Sequence, residues 1–149
     1  MKVVIDTSVI VNLFSGFYPD RTEIAKRVAK LAEKGLAELY APIFGEIEFI
    51  SVMRRFLEEE ETREAHEIYL SLLSGLVEEE LIISRLRELA FKTAHRVPDL
   101  YFIAAAEFIG AILITNDRKM ADLAKSLGLK AFYLVEESDE FFKALGVSS

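Results

Sequence analysis

Asp6 ends the apolar run Val3 to Ile5 in the opening stretch MKVVIDTSVIVNLF, and Asp117 follows AILIT after only Asn116. Each acid therefore stands at the carboxyl end of an apolar, strand-like run. In an open parallel sheet, ligands bind beyond the carboxyl ends of the strands, where the strand order reverses. Two acids at two such ends define a candidate site. A third, Asp99, lies in RVPDLYFIAAAEF, at the first turn of a helix that is apolar on all sides from Leu100 to Ala106 and is expected to be buried. An acid in a first turn also complements the helix dipole, worth about 0.3–1 kcal/mol, so Asp99 alone is open between the two roles. The segment APIFGEIEFISVMRRF adds Glu46 and Glu48. These point about 200° apart on a helix, so only one can face a shared site. Ile43, Ile47, Ile50 and Leu57 read as one apolar stripe, with Glu48, Ser51 and Arg55 together on another flank, which favours Glu48.

Four carboxylates converging in a partly buried pocket cannot all stay ionised unaided, because desolvation and like charges both raise carboxylate pKa values. The chain has no cysteine and only two histidines, His66 and His95, so thiolate sites are excluded and zinc is disfavoured. The economical compensation is a hard divalent cation on oxygen ligands, Mg²⁺ or Mn²⁺. Such an ion activates water and stabilises the charge of a phosphodiester being displaced. Arg118 and Lys119 directly follow Asp117, and His95 and Arg96 precede Asp99. Arg96, Arg118 and Lys119 are candidate substrate-phosphate contacts, although charges opening a helix are commonly solvated. His95 reads as a helix-end or packing residue.

These side chains need a scaffold to hold them. At 149 residues, 52% hydrophobic and 29% charged, the chain has the length and composition of one compact domain, 1–149. Strand-like runs are expected at Val3–Ile5, Ala37–Tyr40, Leu81–Ile83, Ala111–Ile114 and Ala131–Leu134. Helical periodicity covers Thr7–Phe14, Arg21–Lys34, Ile43–Glu60, Arg63–Leu73, Arg85–His95, Leu100–Ile109, Arg118–Leu127 and Asp139–Leu145. Strands separated by helices, without hairpin signals, predict an α/β fold with a parallel sheet covered on both faces. Gly35, Gly110 and Gly128 fall where helix-ending glycines are wanted, and Pro42 and Pro98 where helices begin. The acidic runs at 58–61 and 78–80 read as solvated helix ends or turns.

The opening residues lack the apolar core of a signal peptide, and no apolar run approaches the roughly 18 residues of a membrane span, so a cytoplasmic location is expected. The net charge of −7 argues against an extended electrostatic grip on nucleic acid and leaves room for a local basic patch.

Taken as an ordered set, these stretches resemble the PIN-domain ribonucleases and, within them, the VapC-type toxins of toxin–antitoxin pairs. The resemblance is carried by the strand into an acid and hydroxyls in VVIDTSVIVNLF, and by Pro42 followed by Glu48 and Ser51. The helix-opening acid in PDLYFIAAAEF and the strand into TND of ILITNDRKMADLA complete it. It spans residue 3 to about residue 135 and supports Glu48 over Glu46. It implies a three-layer α/β/α sandwich on a five-stranded parallel sheet and metal-dependent cleavage of RNA. It also implies a homodimer and a small antitoxin protein as partner. Asp6, Glu48, Asp99 and Asp117 become the acidic metal site, supported through hydrogen bonds by Thr7, Ser8, Thr115 and Asn116. Ser51 departs from the asparagine frequent at its position, and Asp122, about 140° round a helix from Asp117, reads as solvated or capping.

Two other classes compete. An aspartyl phosphatase or receiver domain wants a second acid two residues after the first, and that position is Ser8. A non-catalytic regulatory or RNA-binding module would keep the fold without needing the four acids.

Overall fold

The structure is a computed structural model that describes residues 1–147. Five strands pair in parallel in the order β3-β2-β1-β4-β5: β1 (Lys2–Ile5), β2 (Glu38–Pro42), β3 (Leu73–Val77), β4 (Ile112–Thr115) and β5 (Ala131–Tyr133). The helices are α1 (Thr7–Ile10, running on as a 3₁₀ turn, Val11–Leu13), α2 (Pro19–Glu33), α3 (Ile43–Arg54) and α4 (Glu59–Leu72). They continue with α5 (Glu79–Thr93), α6 (Val97–Ile109), α7 (Arg118–Ser126) and α8 (Leu134–Ala144).

The three layers follow from alternation along buried strands. Val3, Ile5, Leu39, Ala41, Ile112 and Ile114 point into one core, with Val28 of α2, Phe49 of α3, Tyr69 of α4 and Phe141 of α8. Val4 and Leu113 point into the other, with Leu86 of α5, Ile103 of α6 and Met120 of α7. Strands buried on both faces read as unbroken apolar runs, as VVI and ILI do here. Gly110, at φ +66°, closes α6 in the left-handed region, so the chain turns directly into β4. Among the described residues no helix is long and apolar enough to cross a membrane.

Two expectations need correction. Leu81–Ile83 is not a strand but lies in the first turns of α5, and the third strand is Leu73–Val77. The acids at 78–80 favour a helix N-terminus, and Ile82, Leu86 and Leu89 recur at helical spacing on a buried face. The true β3 is an edge strand whose sequence, LSGLV, is broken by Ser74 and Gly75, so it lacks a strand's apolar signature. The second correction concerns α3. Ile47 is 60% exposed, and the buried face is Gly45, Phe49 and Met53. That helix also stops at Arg54 rather than reaching Glu60. The 58–61 run opens α4 instead, with Glu61 Oε1 accepting the Glu58 backbone N–H at 3.1 Å.

Gly45 has a specific reason to be glycine. Although α3 and α6 lie on opposite faces of the sheet, they meet beyond its carboxyl edge. A Cβ at position 45 would stand 3.0 Å from Cε1 of the buried Phe102 ring. Glu48 rides on α3 and Asp99 on α6, so this close approach helps set the separation of two candidate ligands. Gly45→Val is expected to force the helices apart and lower stability by about 1–3 kcal/mol, measured by urea denaturation at constant m-value.

Candidate metal centre

The sheet order reverses direction at β1: β2 and β3 lie to one side, β4 and β5 to the other. The crevice beyond the ends of β1 and β4 is the switch point at which open α/β sheets bind ligands. It holds a cavity of about 260 Å³ lined by Asp6, Glu48, Asp99 and Asp117, together with Thr7, Ser8 and Arg96. Four carboxylates from β1, α3, α6 and β4, separated by up to 111 positions in the chain, thus border one space.

Asp6 is held through both its backbone and its side chain. Its backbone N–H continues the β1–β4 ladder onto the Ile114 carbonyl at 3.0 Å, which fixes where its side chain emerges. Oδ2 accepts from the Ser8 hydroxyl at 2.6 Å and from the Thr115 hydroxyl at 2.7 Å. Thr115 Oγ1 in turn accepts the Asp117 N–H at 2.9 Å. Asn116 locks the same corner, its backbone N–H to Ser8 Oγ at 2.9 Å and its side-chain amide to the Ser8 carbonyl at 3.0 Å. Thr7 lines the cavity, whereas the hydrogen bonds to Asp6 run through Ser8 and Thr115. Only 5% of Asp6 is exposed, and burial pushes its carboxyl pKa up to about 6; the two hydroxyls oppose that rise, and Glu48 and Asp117 add to it.

Asp117 divides its oxygens. Oδ1 caps α7, accepting the N–H groups of Lys119 at 2.9 Å and Met120 at 3.4 Å. Oδ2 lies 3.6 Å from an Arg96 nitrogen that also stands 3.4 Å from Asp99 Oδ1. Arg96 therefore bridges two of the acids. Burial, and the Asp117 charge next, push the Asp99 pKa up, while Arg96 and His95 hold it down.

The two glutamates are separated in space. Glu48 borders the cavity, while Glu46 Oε2 lies 2.7 Å from His66 Nε2 on α4. Arg118 is committed elsewhere, at 2.5 Å from Glu136 and over the Tyr133 ring, and Lys119 contributes its backbone to the cap. Neither borders the cavity; Asp122 and Ser51 are exposed. Sequence reasoning missed the apolar wall made by Val11, Val52, Phe102 and Met120. It also missed Tyr69, whose hydroxyl is held protonated far above its usual range by burial and by Glu46, Glu48 and Asp6. These residues read from sequence only as core.

The donor set suits a hard divalent cation. All four candidates are carboxylates, Asp6 is buried with no cationic partner of its own, and a guanidinium already sits between Asp99 and Asp117. Among the described residues, however, no three acidic or histidine side chains are drawn together as a formed metal-holding group. The acids border the space without closing on it.

A family model described as the PIN domain matches residues 3–126, and the chain belongs to that family. Its fold is similar to a chain of VapBC-1 from nontypeable Haemophilus influenzae, at TM-score 0.70 and 20% identity over 91% of this chain and 100% of that one. A chain of VapBC2 from Rickettsia felis, in a structure bound to a DNA fragment from their promoter, gives 0.64 and 18% over 89% and 98%. PAE2754 from Pyrobaculum aerophilum gives 0.60 and 18% over 98% of both chains. No curated protein sequence matches significantly.

Because Asp6 titrates near 6 when folded and near 3.8 when unfolded, the native state binds more protons between those values. Stability of the metal-free protein should therefore fall as pH rises through about 4–6. The difference of about two pH units corresponds to roughly 3 kcal/mol. Asp6→Asn keeps an acceptor for Ser8 and Thr115 and removes that penalty. In chelator at pH 8 it is expected to raise stability by up to roughly that amount and to flatten the pH dependence, read by denaturant titration across pH.

Proposed function

We propose that this protein is a metal-dependent endoribonuclease that hydrolyses phosphodiester bonds in single-stranded RNA, and that it is the toxin of a toxin–antitoxin pair. The observation that carries the proposal is the buried, cation-less Asp6 at the switch point of a PIN-family sheet, with Glu48, Asp99 and Asp117 bordering the same cavity. These four residues would hold Mg²⁺ or Mn²⁺. Bound there, the ion would activate water for in-line attack and neutralise charge on the phosphate oxygens.

The chain's own residues do the rest. Ser8 and Thr115 tie down one oxygen of Asp6 and keep that carboxylate oriented in the apolar corner. The α7 cap does the same for Asp117, turning Oδ2 toward the cavity. Arg96 is the cation within reach of a substrate phosphate: its side chain is long and mostly exposed, and it can trade its two carboxylates for that phosphate. Val11, Val52 and Phe102 limit water on the inner wall. Supplying an antitoxin as partner rests on the resemblance to VapC-type toxins and on the fold likeness to chains of VapBC structures. An acidic pocket suits a basic side chain from such a partner. A homodimer and a cytoplasmic location belong to the same proposal.

The test is cleavage of a single-stranded RNA by wild type and variants, with Mn²⁺ and with chelator. Asp6→Asn and Asp99→Asn are expected to lower the rate by more than about a hundredfold, and Thr115→Val by about 10–100-fold, the usual cost of losing a partner that orients a ligand. Mn²⁺ should raise the melting temperature of wild type but not of Asp6→Asn. Equal cleavage by wild type and Asp6→Asn, or cleavage undiminished in chelator, rejects the assignment. Purification from the native cell should yield a small protein that suppresses cleavage.

A further inference from the structure

We propose that Arg96 is an exchangeable counter-ion that couples the metal centre to RNA: its guanidinium competes with the cation for Asp99 and Asp117 until a substrate phosphate draws it away. The proposal rests on the metal-dependent reading above and adds to it the sign of the coupling between metal and substrate.

The chain holds its arginines in two ways. Arg85 is fixed between α5 and α6, donating through Nε and Nη2 to the two oxygens of Glu107 at 2.8 and 2.9 Å, and through Nη1 to Glu88 at 2.7 Å. Arg96 is held loosely. A single nitrogen, Nη2, stands 3.4 Å from Asp99 Oδ1 and 3.6 Å from Asp117 Oδ2, both longer than the roughly 2.7–2.9 Å of a charge-assisted hydrogen bond. Its side chain is 74% exposed, against 4% for that of Asp99. Exposed pairs of this kind contribute little, so the guanidinium can leave at small cost.

The backbone beneath it is anchored. Ala94 closes α5 in the left-handed region, at φ 51°, and Arg96 opens α6, its carbonyl accepting the Asp99 N–H at 3.2 Å. Exchange is therefore a side-chain rotation and needs no movement of the chain.

Competition is forced by Asp117. Its Oδ1 is engaged in capping α7, where it accepts the Lys119 N–H at 2.9 Å. Oδ2 is the oxygen left for a ligand, and it is the one that Arg96 faces. A cation and a guanidinium repel each other and would have to share it. A phosphate in the cavity offers Arg96 a better partner, since a guanidinium binds phosphate through two parallel N–H bonds. Phosphate binding then relieves the competition at the acids, and cation binding releases the guanidinium for phosphate; by linkage the two effects are equal. An arginine that served only to brace the acids would hold them by short, forked bonds, as Arg85 holds Glu107.

The test titrates Mn²⁺ calorimetrically into the chelator-stripped full chain at about 0.15 M salt, where exposed charges beyond about 8 Å are screened. It is run with and without a saturating single-stranded oligodeoxynucleotide as the source of phosphate. Without the oligonucleotide, Arg96→Gln is expected to bind Mn²⁺ about three- to tenfold more tightly than wild type. Arg96→Lys, which keeps the charge, should stay within about twofold of wild type, and so should Lys92→Gln, which removes the same charge from a surface pair with Glu88 one turn upstream. The oligonucleotide should tighten Mn²⁺ binding by wild type about fivefold or more, and by less in Arg96→Gln, the difference matching what that variant has already gained. Weaker or unchanged Mn²⁺ binding by Arg96→Gln overturns the exchange, as does equal tightening by Lys92→Gln or an oligonucleotide effect that is the same without Arg96. Cleavage of RNA with Mn²⁺ is followed separately. Intact cleavage by wild type with no gain in Arg96→Gln overturns the exchange alone, whereas that gain without cleavage by wild type supports the exchange and rejects the nuclease. Mn²⁺ binding by neither protein rejects both.

Discussion

A carboxylate is held inside the protein at the end of its central strand. Asp6 cannot move away from that position, because its backbone N–H is part of the β1–β4 ladder and Thr7 already begins α1. Its side chain therefore emerges into a corner closed by Ser8, Thr115 and the apolar ends of two cores. The hydroxyls satisfy one oxygen and offset part of the desolvation cost. What remains is an anion that is poorly compensated by the protein itself, and this charge is what makes the corner a candidate site.

The other acids reach the same corner by separate routes, each with its own physical cause. Glu48 depends on α3 running close over the carboxyl edge of the sheet, which Gly45 permits by leaving room for the Phe102 ring. Asp99 depends on α6 being buried along most of its length, so that its first turn is drawn into the crevice. Asp117 is positioned by capping α7, a local bond that leaves one oxygen for the site. Arg96 then does for Asp99 and Asp117 what no residue does for Asp6. Asp6 is compensated by two hydroxyls and no cation, whereas Asp99 and Asp117 share one guanidinium.

The distribution of positive charge bears on how such a protein could hold RNA. Much of it is spent in surface pairs, as with Lys92 and Glu88 or Lys125 and Glu137, and the net charge is −7. With a weak long-range field, the proposed grip on RNA would have to come from short-range contacts near the cavity.

Most of the sheet and all four acids were legible in the sequence, since buried strands and helix caps are written in consecutive residues. VVID and ILITND announce a strand and its terminal acid, and Gly110 announces the end of α6. The third strand was not legible. An edge strand is buried by one neighbour only, so LSGLV carries no apolar run, while LII in α5 does. For α3 the isoleucines were prominent, yet Gly45, Phe49 and Met53 face the core, because packing against Phe102 and Tyr69 selects a face that periodicity alone leaves ambiguous.

By itself the sequence determined which strand ends bear Asp6 and Asp117 and which acids are candidates for the site, because both are set by local order along the chain. Only the tertiary structure set Glu48 at the cavity and Glu46 against His66, turned Arg118 away to Glu136, and set Arg96 between two acids. Those outcomes depend on how separate elements approach one another, and that approach is governed by the fit of side chains distant in sequence.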